Sequence, residues 1–313
     1  MPELSDGTPE MLRPQAEAFL RSGVASVVPR LRPLAELDLA AAARLTPLPY
    51  HDAGFSARVL RQQLDQSTDQ SSRRLPVIAR QVNWLARQLP AGSLERVFHP
   101  LCGPGLVALA LRAHGVESYV GVDIGPAIIA FARRVTGGTA AFTFEAGDVE
   151  RYHPGPQQYS ACLLTYEGLN AFPPLRARAL LASMAGALRP GGWLAMDVRG
   201  EGNAIAPGPG RRCSWHAGGS VFAAGPHLLL DESARLGWPG TVSGHRFLIL
   251  REEPGVPATV FHSLVWHYPA ATLGRLLDSA GFDLVAAHQP FVFDSDVPEA
   301  AAPVIVLARR RRG

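Results

Sequence analysis

The chain has 313 residues, 47% hydrophobic and 18% charged, enough for one large α/β domain with a cap or for two small domains. All 30 basic residues are arginines against 27 acidic ones, a formal net charge of +3. This near balance argues against a polyanion-binding surface, and the run Arg309 to Arg312 reads as a solvated tail.

Three widely spaced cysteines, Cys102, Cys162 and Cys213, give neither a disulfide framework nor a metal-ligand pattern. They fit a reducing cytoplasm. The N-terminal MPELSDGTPE is acidic and polar, unlike a signal peptide. No run reaches the ~18 apolar residues of a membrane span. No metal, nucleic acid or membrane partner is expected, and a homodimer stands as an option.

Residues 1–92 read as a helical arm with breaks. The clearest helix covers about 71–89, where Ile78, Val82, Leu85 and Leu89 share a face. From residue 95 strands and helices alternate. ERVFHPL is a strand, and Gly103-Pro104 opens a helix. SYVGVDI is a second strand, followed by a helix from Gly125-Pro126. AAFTFEAGD and YSACLLTY are the third and fourth strands. A helix at about 174–188 breaks at Pro190-Gly191-Gly192 and leads to WLAMDV, the fifth.

Such alternation predicts a Rossmann-like, mostly parallel sheet with helices on both faces. Residues 201–226 read as a Gly/Pro-rich loop. HLLLDESARL, TVSGHRFLILRE and ATVFHSLVWHY follow without helices, which predicts an antiparallel cap, 201–269, inserted after the fifth strand. A helix at about 270–280 and the strands FDLVAAH and PVIVLAR complete a seven-stranded core over 93–313.

In VFHPLCGPGLVALAL (97–111) a strand meets a glycine turn that opens a helix. Gly103 and Gly105 remove side chains where backbone must approach a ligand closely. Asp123 ends the next strand, placed to accept from both ribose hydroxyls. Gly147-Asp148 ends the third, within reach of an adenine amino group. Three such positions at consecutive strand ends outweigh a plain tight turn. The glycines also satisfy G-x-G-x-x-A with Ala108, so an NAD-dependent oxidoreductase is the alternative enzyme. Against it, no lysine exists for a Tyr/Lys hydride-transfer pair, and the chain's end does not read as a second mononucleotide half.

CGPG at 102–105, Asp123, GD at 147–148 and LRPGG at 188–192 resemble, in order and spacing, the class I S-adenosylmethionine (SAM)-dependent methyltransferases. The resemblance implies SAM as cofactor. It implies the methionine part held by Cys102, Gly103 and Gly105, the ribose by Asp123 with Ile124, and adenine by Asp148 and the Val149 backbone. The family usually carries an acid where this chain has His99, and a glycine where it has Leu101. His99 is a candidate neutral acceptor for the SAM ammonium group. The departures also motivate a second alternative, a non-catalytic SAM-fold binding protein.

The acceptor is expected beyond the fourth strand, where Tyr166, Glu167 and Asn170 cluster. Tyr166 and Glu167 are candidate catalytic groups, Tyr166 also a SAM contact, and Asn170 a substrate contact. The cap offers His216 and His267 as further catalytic candidates, with Trp215, His262 and Trp266 for substrate. His262, Leu264 and Trp266 share one strand face, and alternation alone does not say which face is inward. The arm offers Tyr50 for substrate. Arg73, or its neighbour Arg74, is suited to fork onto the SAM carboxylate. The expected activity is methyl transfer to a small molecule of secondary metabolism.

Overall fold

The computed structural model describes residues 7–38, 41, 44–200, 210–236, 242–253, 255–288 and 303–312. It divides into two compact units. One joins Met1–Pro49 with Ala204–His267, and the other joins Tyr50–Asn203 with Tyr268–Gly313. The expected arm, 1–92, is therefore split at Tyr50. Its first part shares a core with the expected cap, and its second part shares one with the Rossmann-like sheet.

The larger unit holds a seven-stranded sheet: β1 (Arg96–Pro100), β2 (Ser118–Asp123), β3 (Phe142–Ala146), β4 (Tyr159–Leu164), β5 (Leu188–Val198), β10 (Phe282–His288) and β11 (Val304–Arg310). Their spatial order is β10-β11-β5-β4-β1-β2-β3. β1 to β5 pair in parallel, and β11 runs antiparallel to both β5 and β10. The strand order reverses between β1 and β4, so a crevice opens at their C-terminal ends. The fourth strand is buried along its whole length, as a central parallel strand must be. The sequence expectation of a helix break at Pro190-Gly191-Gly192 is half right. The helix stops at Ala187, but β5 already starts at Leu188 and carries the Pro-Gly-Gly step as an irregularity in its pairing with β4.

Helices α2 (Ala53–Gln63), α3 (Leu75–Gln88), α4 (Leu106–Leu111) and α5 (Pro126–Val135) belong to this unit, as do α6 (Pro174–Ala187) and α7 (Ala270–Ser279). α3 turns Ile78, Val82 and Leu85 into a core completed by Val97, Leu106, Leu111 and Leu163. Burying each such side chain contributes roughly 1.5–3 kcal/mol. α2 starts at Asp52, whose Oδ1 accepts from Phe55 N at 2.7 Å. The hydroxyl of Ser56 accepts from Ala127 N at 3.1 Å, which ties α2 to the first turn of α5.

The smaller unit is a four-stranded antiparallel sheet in the order β6-β7-β8-β9: β6 (Gly210–His216), β7 (His227–Leu236), β8 (Val242–Leu250) and β9 (Thr259–Trp266). The sequence pattern predicts three strands here and a loop over 201–226. Residues 201–209 lie outside the described residues. Gly210–His216 is a sheet-edge strand whose polar residues hid its period. α1 (Arg13–Ser22) and its flanks press Leu12, Ala16, Phe19 and Val24 onto Leu228, Leu230 and Leu248. Leu34 does the same for Ala234, Leu236 and Val242, with Leu264 and Trp266 against that cluster. The face of β9 carrying His262, Leu264 and Trp266 is thus the inward one, covered by the unit's own N-terminal segment.

Candidate active site

At the C-terminal ends of β1, β2 and β4 lies a cavity of about 280 Å³. Tyr50, Gln63, Arg73, Gly103, Asp123 and Tyr166 are among its lining residues. Every residue of the lining belongs to the larger unit.

Asp123 ends β2 and turns its carboxylate back on the glycine turn. Oδ2 accepts from Gly103 N at 3.1 Å and Oδ1 from Gly125 N at 2.9 Å. Burial raises its pKa, and the N–H groups of Gly125, Gly103 and Ile124 oppose the rise. The carboxylate keeps acceptor capacity for a ligand beyond these N–H groups. Ile124 and Cys102 line the same cavity. The Cys102 thiol is buried and pushed well up by burial, with the Asp123 charge adding to it. Tyr50 lines the cavity as well. Burial raises its hydroxyl first, and the charge of Asp123 second.

The two glycines differ in role. Gly103 sits at φ +57°, and a Cβ there would meet only Gln63 Nε2, at 3.9 Å. Its bare face opens on the cavity. Gly105 sits at φ +78°, and a Cβ there would press on Ala132 Cβ at 3.1 Å and Phe144 Cε1 at 3.2 Å. Gly105 therefore serves helix–sheet packing, which corrects the expectation that it receives the ligand. Leu101, between β1 and the turn, takes a left-handed φ of +57°, a conformation that favours glycine.

His99 is fully buried. Its Nδ1 lies 2.6 Å from Tyr119 Oη and its Nε2 lies 3.1 Å from Thr165 Oγ1. Burial pushes its pKa down to about 3, so the ring is neutral. The expected cofactor contact is a core histidine that braces Thr165, and Thr165 is the one that lines the cavity.

Of the two candidate arginines, Arg73 faces the cavity and Arg74 pairs with Asp69 at 3.1 Å. Arg73 Nη2 is 2.8 Å from Asp197 Oδ2 and 3.6 Å from Glu167 Oε1. Its guanidinium lies over the Tyr166 ring, 5.2 Å from the centroid. Burial works against its charge, but Asp197 and Glu167 outweigh that and raise its pKa. Tyr166 and Glu167 both adopt φ +57°. The Tyr166 hydroxyl donates to Asp69 O at 2.7 Å, and burial pushes its pKa up to about 12.

Glu167 is not placed as a general base. Its Oε2 receives Arg199 Nε at 2.8 Å, its Oε1 lies 3.6 Å from Arg73 Nη2, and the residue is not part of the cavity lining, so its charge serves two guanidiniums. Asn170 is likewise structural. Its Nδ2 donates to Arg199 O and its Oδ1 accepts from Arg199 N, both at 2.9 Å, which latches the turn after β4 to the end of β5.

Asp148 and the buried Val149 follow β3 but fall outside the cavity lining. Asp148 Oδ1 caps Glu150 N at 3.0 Å, and Oδ2 is 3.8 Å from Arg151 Nε. The cap candidates find partners within the smaller unit. His216 bonds to Ser214 Oγ at 2.8 Å and stacks on His227, and His267 Nε2 bonds to Ser243 Oγ at 2.8 Å. Trp215 and Trp266 pack against that unit's apolar clusters. His262 Nε2 accepts from Arg246 Nε at 3.0 Å and is pushed down to about 4, by burial first and by the Arg246 charge second. Arg246 is itself buried and paired with Glu232 at 2.9 Å.

Asp197 and Gln63 are not among the residues the sequence pattern singles out. Asp197 was legible as a carboxylate at the C-terminal end of a parallel strand. Gln63 carried no such signal, because it ends a surface-like helix.

The family described as "Methyltransferase domain" matches residues 99–192. Among curated proteins no sequence matches. Of solved structures, the CcbJ methyltransferase from Streptomyces caelestis is 18% identical, with a TM-score of 0.58, over 83% of this chain and 99% of that one. SAM-bound CalS10 from Micromonospora echinaspora is described as an amino pentose methyltransferase involved in calicheamicin biosynthesis. It is 16% identical, with a TM-score of 0.52, over 74% of this chain and 91% of that one. The sugar N-methyltransferase KedS8 from Streptoalloteichus sp ATCC 53650 is 19% identical, with a TM-score of 0.51, over 76% and 88%. These likenesses place the chain in the class I methyltransferase fold.

Proposed function

We propose that the chain, whose residues 99–192 match the family described as "Methyltransferase domain", uses SAM to methylate a small molecule of secondary metabolism. The observation that carries this is Asp123 standing over Gly103 N in a cavity at the strand-order switch. A carboxylate with free lone pairs beside a bare glycine matches a ribose diol next to a methionyl chain. SAM would supply a methyl group already activated on sulfonium sulfur.

In this reading Asp123 holds the ribose, and Gly103 with Cys102 lets the methionyl part approach the backbone. Ile124 packs on the nucleoside, and the adenine extends past the cavity lining toward Asp148 and Val149. Arg73 has donors left for a carboxylate, already oriented by Asp197 and Glu167. Tyr166, Thr165 and Tyr50 wall the acceptor side. Beside them a smaller cavity of about 50 Å³, walled by Trp84, Leu85, Leu163, Met196 and Ile305, shares Gln81, Val107 and Thr165 with the first. It suits an apolar part of the acceptor. Positioning the nucleophile supplies most of the acceleration. An amine acceptor, as in the sugar N-methyltransferase neighbour, needs a base only if it arrives protonated.

The three free cysteines accord with a cytoplasmic setting, and among the described residues no helix is long and apolar enough to cross a membrane. The test is transfer of labelled methyl from SAM to a panel of amino sugars and small aromatic amines and phenols. Labelled product from any of them supports the reading. SAM binding without turnover on any acceptor favours the non-catalytic alternative.

A further inference from the structure

Among the described residues, one buried side-chain atom has no hydrogen-bond partner: Oε1 of Gln63. Buried polar atoms are nearly always paired, so an orphan beside a ligand cavity points to a missing donor. Gln63 is the last residue of α2 and lines the cavity next to Gly103, its Nε2 lying 3.9 Å from where a Gly103 Cβ would stand. The terminal amide torsion is broad and roughly two-fold, so a half-turn brings the oxygen to the wall where Nε2 stands in this structure.

Two other acceptors near this end of the cavity are already in use. Asp123 takes the N–H groups of Gly103 and Gly125 and is left with the ribose side. His99 is fully buried behind Thr165, with both ring nitrogens engaged. The side chains of Leu101 and Cys102 offer no strong acceptor. At its methionyl end SAM carries one donor group, the α-ammonium, because the carboxylate only accepts.

We propose that the Gln63 amide oxygen accepts a hydrogen bond from the α-ammonium of SAM, a contact that rests on the SAM reading above. A neutral amide then does at this site what a carboxylate would do more strongly. Ser56 and Asp52 fix the helix that delivers it.

The test compares two ligands by calorimetry on the full chain. One is S-adenosylhomocysteine. The other is its deaminated analogue, with hydrogen in place of the amino group and the carboxylate retained. Gln63→Leu weakens S-adenosylhomocysteine by about tenfold and leaves the deaminated analogue within about twofold. Gln63→Glu tightens S-adenosylhomocysteine and not the analogue. Equal losses for both ligands, or no loss, overturn the assignment to Gln63. If Gln63→Leu does not fold, the Gln63→Glu comparison decides, and an unchanged ratio of the two affinities overturns it. If the unaltered chain binds neither ligand, the SAM reading itself fails, whatever Gln63 does.

Discussion

Arg73 Nη2 stands 2.8 Å from Asp197 Oδ2, and that pair joins the turn before α3 to the C-terminal end of β5. Both side chains are at least nine-tenths buried. Asp197 Oδ2 also accepts from Glu167 N at 3.2 Å, so one carboxylate anchors both the arginine and the turn after β4. Asp197→Ala leaves a buried guanidinium short of its partner and is expected to cost about 3 kcal/mol in urea unfolding. The double variant Arg73→Met/Asp197→Leu recovers much of that stability but not the affinity for S-adenosylhomocysteine. Recovery of both would show that Arg73 has no part in binding.

The two glycines of the turn separate binding from packing. Gly105→Ala drives a methyl onto Ala132 and Phe144 at positive φ and is expected to destabilise by about 1–3 kcal/mol. Gly103→Ala has room for its methyl and costs ~1 kcal/mol of backbone strain, yet it weakens S-adenosylhomocysteine more than Gly105→Ala does. Thermal unfolding and calorimetry on the two variants check the contrast. The reverse order would exchange the roles assigned to them.

Glu167→Gln removes the charge that Arg73 and Arg199 share. The expected result is lower stability and a raised Michaelis constant for SAM. The low-pH limb of the rate profile persists, because the committed carboxylate is not the base. Disappearance of that limb in the variant would restore Glu167 to catalysis.

His99 and His262 are held neutral, at about 3 and about 4, against an unfolded value of about 6.5. Between those values the unfolded chain binds more protons than the folded one. Their stabilisation is complete above about pH 6.5 and is lost as the pH falls toward 4 and then 3. At about pH 5 each accounts for about 2 kcal/mol of lost stability. Urea unfolding at neutral pH and at about pH 5 should show a smaller loss for His99→Asn and for His262→Gln than for the unaltered chain. Equal losses would contradict the assignment.

Much of this architecture was legible because period and punctuation agreed. Strand–glycine–helix alternation from residue 95 announced the seven-stranded sheet, and the end of SYVGVDI announced a carboxylate, Asp123, at the cavity. Pairing was not legible. His99 sits at a strand end like a ligand, but Tyr119 and Thr165 reach it from β2 and from the end of β4, and only the register shows that. Asn170 and Glu167 cluster at the sheet mouth, and their partner Arg199 lies about thirty residues away in sequence. The cap histidines looked available because alternation does not say what covers a strand. Leu34, Leu37, Leu45 and Pro47 cover the His262 face, and nothing in their own pattern announces it.

The most direct test of the central claim is calorimetric titration of the chain with S-adenosylhomocysteine and, separately, with NAD, repeated for Asp123→Ala. One S-adenosylhomocysteine per chain and no NAD binding are expected, with Asp123→Ala weaker by ~1–3 kcal/mol because the ribose hydroxyls lose their acceptor. NAD binding in place of S-adenosylhomocysteine, or an Asp123→Ala variant that is folded and binds as tightly as the original, would contradict it.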